Sequence, residues 1–147
     1  MNSVPPVPGL VFHHVGVACR DLDREQAAYE LLGYVPEGDD FVDPVQGVRG
    51  RFLVGGGPRV ELLVNLAGST TLDPWLRGPA RTYQQAYESP TFDATVAALT
   101  ATGARVVSPP VPAVAFGGRR ICFVMLRTMT LVEIVESPGS VAGSTGP

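Results

Sequence analysis

The chain contains no lysine: all 11 of its basic residues are arginine. That excludes Schiff-base chemistry through a lysine amine. It also lacks any basic cluster, and its net charge of −3 argues against a nucleic-acid partner. Histidine is nearly as scarce, with two residues, His13 and His14, side by side in "FHHVGVACRDL". The two cysteines, Cys19 and Cys122, both fall in strand-like apolar runs and read as buried free thiols. No apolar run approaches the roughly 20 residues of a membrane span. The opening "MNSVPPVPG" is too short and too proline-rich for a signal peptide, so a cytoplasmic protein is expected. Glycines occur in a tight group at Gly55–Gly57, but no phosphate-loop pattern with a lysine follows, and a hairpin turn is the expectation there.

What is present points to a folded domain. Apolar residues make up 45% of the 147, and the mean hydropathy is slightly positive. This length buries a core without metal or disulfide staples. Residues 1–9 and 137–147 are rich in Pro, Gly and Ser and are expected to be flexible. Between them, residues 10–136 form one domain of two modules, about 10–67 and about 81–136.

The two modules repeat one pattern. In the first, "LVFHHVGVA" reads as a strand and "DLDREQAAYELLG" as a helix, with Asp21 or Asp23 as N-cap and Gly33 as the stop. Extended runs follow near Phe41–Val42, Val48–Val54 and Arg59–Leu66. In the second, "RTYQQAYE" is a strand, and "SPTFDATVAALTATG" is a helix with Ser89 as N-cap, Pro90 at its first position and Gly103 as the stop. Extended runs return at Arg105–Val107, Arg119–Leu126 and Met129–Glu136. The helix stops lie 70 residues apart, His14 and Gln85 lie 71 apart, and Glu61 and Glu133 lie 72 apart. A period this steady predicts a duplicated β-α-β-β-β unit.

Strand alternation then sorts the polar residues by face. In "RVELLVN", Glu61 lies opposite Val60 and Leu62; in "TLVEIVE", Glu133 lies opposite Val132 and Ile134. His14 is in register with Gly16 and Ala18, and His13 with Val15 and Val17. Gln85 shares a face with Tyr83 and Tyr87. A carboxylate among apolar strand residues is costly to bury unless paired, protonated or bound to a metal. If the modules pack about a pseudo-two-fold axis, His14, Glu61, Gln85 and Glu133 converge. One imidazole nitrogen, one amide oxygen and two carboxylates would neutralise a divalent cation.

This arrangement resembles the vicinal oxygen chelate superfamily, which contains glyoxalase I, extradiol dioxygenases, fosfomycin- and bleomycin-resistance proteins and methylmalonyl-CoA epimerase. The likeness runs from about Leu10 to Glu136 and is greatest to the epimerases, through "HHVGVACRDLDREQAAYELLGY", "QGVRGRFLVGGGPRVELL", "DPWL" and "FGGRRICFVML…LVEIVE". It implies an α+β fold: two tandem βαβββ modules forming an eight-stranded, cup-shaped mixed sheet with helices outside. His14 matches the metal histidine of the first strand, Glu61 the position of Gln or Glu, and Glu133 the glutamate of the last strand. Gln85 stands where the epimerases carry a second histidine. An amide in place of imidazole tilts preference from Zn or Ni toward Mg, Mn or Co.

The likeness breaks at Gly50, where the epimerases place a glutamate base, so an ordinary two-base epimerisation lacks one partner. Glu133 is then the candidate proton carrier. Tyr83 and Tyr87 are candidates to orient substrate, and Arg119 and Arg120, in "AFGGRR", are candidates to meet an anionic group. The resemblance implies a metal-dependent isomerase, epimerase or lyase acting next to a carbonyl on an acyl-CoA or specialised metabolite. The alternative within the same fold is a metal-free binding or antibiotic-sequestration protein. A homodimer is implied by the resemblance alone.

Overall fold

The computed structural model describes residues 5–139. Of the two ends expected to be flexible, residues 1–4 and 140–147 lie outside the described residues. The first module runs β1 (Val11–Ala18), α1 (Leu22–Glu30), β2 (Val35–Asp43), β3 (Val48–Val54) and β4 (Val60–Asn65). A single-turn helix α2 (Asp73–Leu76) carries the "DPWL" link. The second module runs β5 (Thr82–Ser89), α3 (Phe92–Ala101), β6 (Arg105–Pro112), β7 (Arg120–Met125) and β8 (Leu131–Glu136), with a 3₁₀ turn at Val114–Phe116 between β6 and β7.

All eight strands join one mixed sheet in the order β2-β3-β4-β1-β5-β8-β7-β6. Within each module the first and last strands pair in parallel, Gly16 opposite Glu61 and Ala86 opposite Glu133. The two modules meet antiparallel along β1 and β5. This is the βαβββ duplication expected from the repeat, with the helices outside.

The alternating strands build two faces with different tasks. On the outer face, Val17, Leu53 and Leu62 pack against Leu22 of α1, and Cys122, Val124 and Ile134 pack against Phe92 of α3. Both cysteines are buried free thiols. The opposite residues of the same strands, such as Leu63 in β4 and Val135 in β8, face the concave side.

Helix α1 begins as its sequence predicts, with the Asp21 carboxylate accepting from the Arg24 N–H at 3.1 Å. Helix α3 does not. Its N-cap is Thr91, and Ser89 is the last residue of β5, its Oγ accepting from the Thr91 N–H and pairing with Thr95 Oγ1 at 2.7 Å. Strand β6 is longer than expected and carries Pro109 and Pro110; it tolerates them because it is an edge of the sheet.

The free edge of the first module is tied to the second by one carboxylate. Asp43, 1% exposed at the end of β2, accepts from the Gln46 N–H and side-chain amide and from the Val114 N–H. No helix of the described residues is long and apolar enough to cross a membrane.

Candidate metal centre

The floor of the cup is built by β1, β4 and β8. His14 is fully buried, and Glu61 and Glu133 are 4% and 3% exposed. His14 Nε2 lies 3.3 Å from Glu61 Oε1 and 3.2 Å from Glu133 Oε1. One ligand-capable atom from each of the three residues falls within 4.8 Å of the others. These distances allow ionic attraction, yet neither His14 Nε2 nor Glu133 Oε1 has a partner of hydrogen-bonding geometry.

The fourth polar group is Gln84, not Gln85. Gln84 pairs with Gly16 across the β1–β5 seam, so it shares the face of His14. It is 3% exposed, and neither its amide oxygen nor its nitrogen has a hydrogen-bonding partner. A Cβ on Gly16 would fall on the Gln84 side chain, so the glycine makes room for it. Gln85 pairs with Val15 on the outer face, is exposed, and accepts from the Tyr87 hydroxyl at 3.1 Å.

Two β-bulges along the seam break the alternation that places Gln85 in the cup. Between Phe12 and His14, β1 advances two residues while β5 advances one; between Gly16 and Val17, β5 advances two while β1 advances one. The extra residues are His13 and Tyr83, and each side chain turns to the concave side with its neighbour instead of away from it. His13 Nδ1 therefore sits 2.8 Å from His14 Nδ1, and both rings touch Phe52 and Phe116. Tyr83 lines the cup and packs against Trp75, ring centroids 4.4 Å apart. Tyr87 stays on the outer face against Phe12 and the core beneath α3.

The electrostatics follow from burial. Desolvation alone would lower the pKa of His14, but the carboxylates of Glu61 and Glu133 overcome it and push the imidazole up to about 10. Burial raises Glu133 above the ordinary carboxylate range, and neighbouring Glu61 adds to the rise. Burial, helped by His14 and Arg59, lowers His13 to about 4, so His13 is neutral and its Nδ1 can accept from His14 Nδ1–H.

Buried polar atoms without partners are rare in folded proteins. Here both amide atoms of Gln84 have no hydrogen bond, and His14 Nε2 and Glu133 Oε1 face each other at 3.2 Å as an ion pair outside hydrogen-bond geometry, beside a second carboxylate. One imidazole nitrogen, an amide oxygen and two carboxylates carry a charge of −2 once the imidazole is neutral. That donor set fits a divalent cation.

Above this floor opens a cavity of about 390 Å³. Its walls are mainly apolar, with Phe41, Trp75, Tyr83, Phe116 and Phe123 among them. Phe41 explains the departure at Gly50: a Cβ at Gly50 would collide with the Phe41 ring, so an aromatic ring lies against the position where a longer side chain would begin.

Arg119 and Arg120 do not reach the cavity. Arg119 is held by Glu88 at 2.8 Å and by the Glu136 carbonyl, and Arg120 by Asp93 and Glu136 while lying over the Phe92 ring. Their partners come from β5, α3 and β8, and the ion pairs turn both guanidinium groups away from the cup.

Gln84, Phe41 and Trp75 join the site although none of them is expected there from the sequence. A signal for Gln84 existed. It lies 70 residues from His14, the same spacing as the two helix stops, and each is followed two positions later by a small residue, Gly16 or Ala86.

Residues 13–123 match the profile of the glyoxalase/bleomycin resistance protein/dioxygenase superfamily. The chain belongs to this superfamily. Among solved structures, methylmalonyl-CoA epimerase from Mycobacterium tuberculosis is 24% identical, with 90% of this chain and 91% of that chain covered and a TM-score of 0.71. A hypothetical protein from Bacillus halodurans C-125 is 21% identical over 88% of this chain and 96% of its own, with a TM-score of 0.74. A Streptomyces coelicolor methylmalonyl-CoA epimerase variant in complex with 2-nitronate-propionyl-CoA is 24% identical over 86% and 96%, with a TM-score of 0.67. These likenesses establish the superfamily fold. No curated protein sequence matches the chain significantly.

Proposed function

We propose that the chain is a divalent-metal-dependent enzyme of the isomerase or lyase type that moves a proton at the carbon next to a carbonyl of a small organic molecule. His14, Glu61, Gln84 and Glu133 would hold the ion. The observation that carries this reading is the buried cluster of two carboxylates, one imidazole and an amide without a hydrogen bond at the foot of a ligand-sized cavity. A divalent ion there would supply Lewis acidity, stabilising negative charge on the carbonyl oxygen as the neighbouring C–H bond breaks. Glu133, which lines the cavity, accepts the proton on a carboxylate oxygen. In the metal-free protein, burial raises its pKa above the ordinary carboxylate range. Phe41 with Gly50 leaves no second carboxylate at the position that serves as base in the resembling epimerases.

The choice of Gln84 over Gln85 is testable by ion titration. Gln84→Ala is expected to weaken binding of Mn(II) or Co(II) about tenfold or more, while Gln85→Ala leaves it unchanged. Equal affinities for the two variants would remove Gln84 from the site.

His13 is read as a positioning residue for His14. By accepting from Nδ1–H it fixes the tautomer that leaves the Nε2 lone pair toward the carboxylates, the task usually done by a carboxylate or a backbone carbonyl. His13→Leu is expected to weaken ion binding by about 10- to 100-fold, the usual cost of losing such a partner. His13→Asn, which keeps an acceptor, should recover part of the affinity and of the Co(II) absorption spectrum. If Leu and Asn behave alike, His13 only packs.

A further inference from the structure

The bulge in β1 that turns His13 into the cup needs a restraint, since a regular strand sends that side chain to the outer face. His13 stands opposite no residue of β5, and the register with β4 begins only at Val15. We propose that Arg59, itself fixed by Glu37, is a positioning residue of the metal centre: it pins this bulge and so sets the His13–His14 pair. The proposal rests on the metal-centre reading and extends it to two residues that do not line the cavity.

Two contacts from one residue support it. The Arg59 guanidinium donates from Nη1 to the His13 carbonyl at 2.9 Å. The Arg59 carbonyl accepts from the Val15 N–H at 3.0 Å. Arg59 therefore grips β1 immediately before His14 and immediately after it. A slip of the bulge by one position breaks the first contact and returns the His13 side chain to the outer face.

The guanidinium is not free to follow the strand. Its Nε and Nη2 donate to Glu37 Oε1 and Oε2 at 2.8 and 3.2 Å, a fork-to-fork pair that leaves Nη1 for the His13 carbonyl. Glu37 belongs to β2 and stands opposite Phe52 of β3. Phe52 is also a ring that both histidines touch. The strands to which Arg59 is tied are thus the ones against which the imidazoles pack. A lysine cannot reproduce the arrangement, because its ammonium is a point charge without a planar fork.

The plain alternative is an ordinary surface ion pair. The Arg59 and Glu37 side chains are 31% and 43% exposed, and such pairs add little to stability. The two readings therefore part at the histidines and not in Tm.

Because the chain has two histidines, ¹⁵N-histidine labelling gives an NMR spectrum of two rings. In the metal-free native protein, the Nδ1–H···Nδ1 bond between them is expected to give a nitrogen–nitrogen coupling across the hydrogen bond. Arg59→Ala and Arg59→Lys should lose this coupling and weaken Mn(II) binding about tenfold, the lower end for a lost supporting partner. Glu37→Gln, which keeps one acceptor for the guanidinium, should retain part of both. Arg51→Ala breaks the pair with Asp40 on the same two strands, away from β1, and should change neither. In a His13→Leu background, Arg59→Ala should cost no further Mn(II) affinity, because the arginine acts through His13. The proposal is overturned by a native protein without the coupling, by its retention in Arg59→Ala, or by an affinity loss undiminished in the His13→Leu background. Unchanged Mn(II) affinity in Arg59→Ala overturns it as well. Native protein that takes up neither Mn(II) nor Co(II) overturns the metal-centre reading, and the coupling in Arg59→Ala then decides by itself whether the arginine pins the pair.

Discussion

The double variant Glu61→Gln, Glu133→Gln is expected to melt at a higher temperature than the metal-free native protein while losing the ability to bind a divalent ion. The two carboxylates are almost wholly buried, and among the described residues one imidazolium is the only cation paired with both. Desolvating a carboxylate costs several kcal/mol, and two buried carboxylates sharing one imidazolium recover only part of it. Replacing a buried ion pair by well-packed apolar residues gains about 1–4 kcal/mol. Neutral amides of the same shape remove the charge but stay polar, so their expected gain lies at the lower end of that range. At about 3 °C per kcal/mol for a chain of this size, the shift in Tm is easily resolved. Saturating ion should stabilise the native protein, by about 2.7 kcal/mol at 100 times Kd, and leave the double variant unmoved. A double variant that melts below the metal-free native protein would mean that the carboxylates are structural.

The same burden has a pH signature. Glu133 and His14 both have pKa values raised in the folded state, so the native state binds more protons than the unfolded chain. Stability of the metal-free protein should therefore fall as pH rises above 4.5, and continue to fall until His14 deprotonates near about 10. Denaturant melts at a series of pH values check the slope, which saturating ion should flatten.

Glu133→Gln is expected to slow proton abstraction by about 10²- to 10⁴-fold, the range typical of losing a positioned general base. Exchange of solvent deuterium into 2-hydroxyacetophenone, followed by NMR, reads this step directly. Its CH₂ carries the hydroxyl and is bonded to the carbonyl carbon, so its two hydrogens are the ones next to the carbonyl. Because Phe41 and Gly50 leave no base on the other side, one of the two hydrogens should exchange and the second should persist. Excess Mn(II) should restore exchange in Gln84→Ala, whose defect is affinity, and not in Glu133→Gln. Exchange of both hydrogens at equal rates would point to a second base and contradict the one-sided site.

The architecture was legible because it is periodic. Helix stops at Gly33 and Gly103 and glutamates at Glu61 and Glu133 mark the same points of two modules, and a duplicated βαβββ unit follows from them. The faces of Glu61 and Glu133 were legible too, since β4 and β8 keep strict alternation. The β1–β5 seam was not. Its two bulges depend on how one strand meets another 70 residues away, and no local pattern announces them. They turn His13 and Tyr83 toward the cup and leave Gln84, not Gln85, beside His14. Arg119 and Arg120 were misread for a related reason: their partners Glu88, Asp93 and Glu136 are brought close by the fold alone. Likewise, the contact of Phe41 with Gly50 spans two strands, so the glycine first reads as a lost base and only the structure shows the ring against it.

The most direct test of the account is the metal content of the full chain purified without chelator, measured by mass spectrometry beside the Glu61→Ala, Glu133→Ala variant. The account predicts one divalent ion per native chain, or uptake of one on titration with Mn(II) or Co(II), and none in the variant. Native protein that carries no ion and takes none up would contradict it.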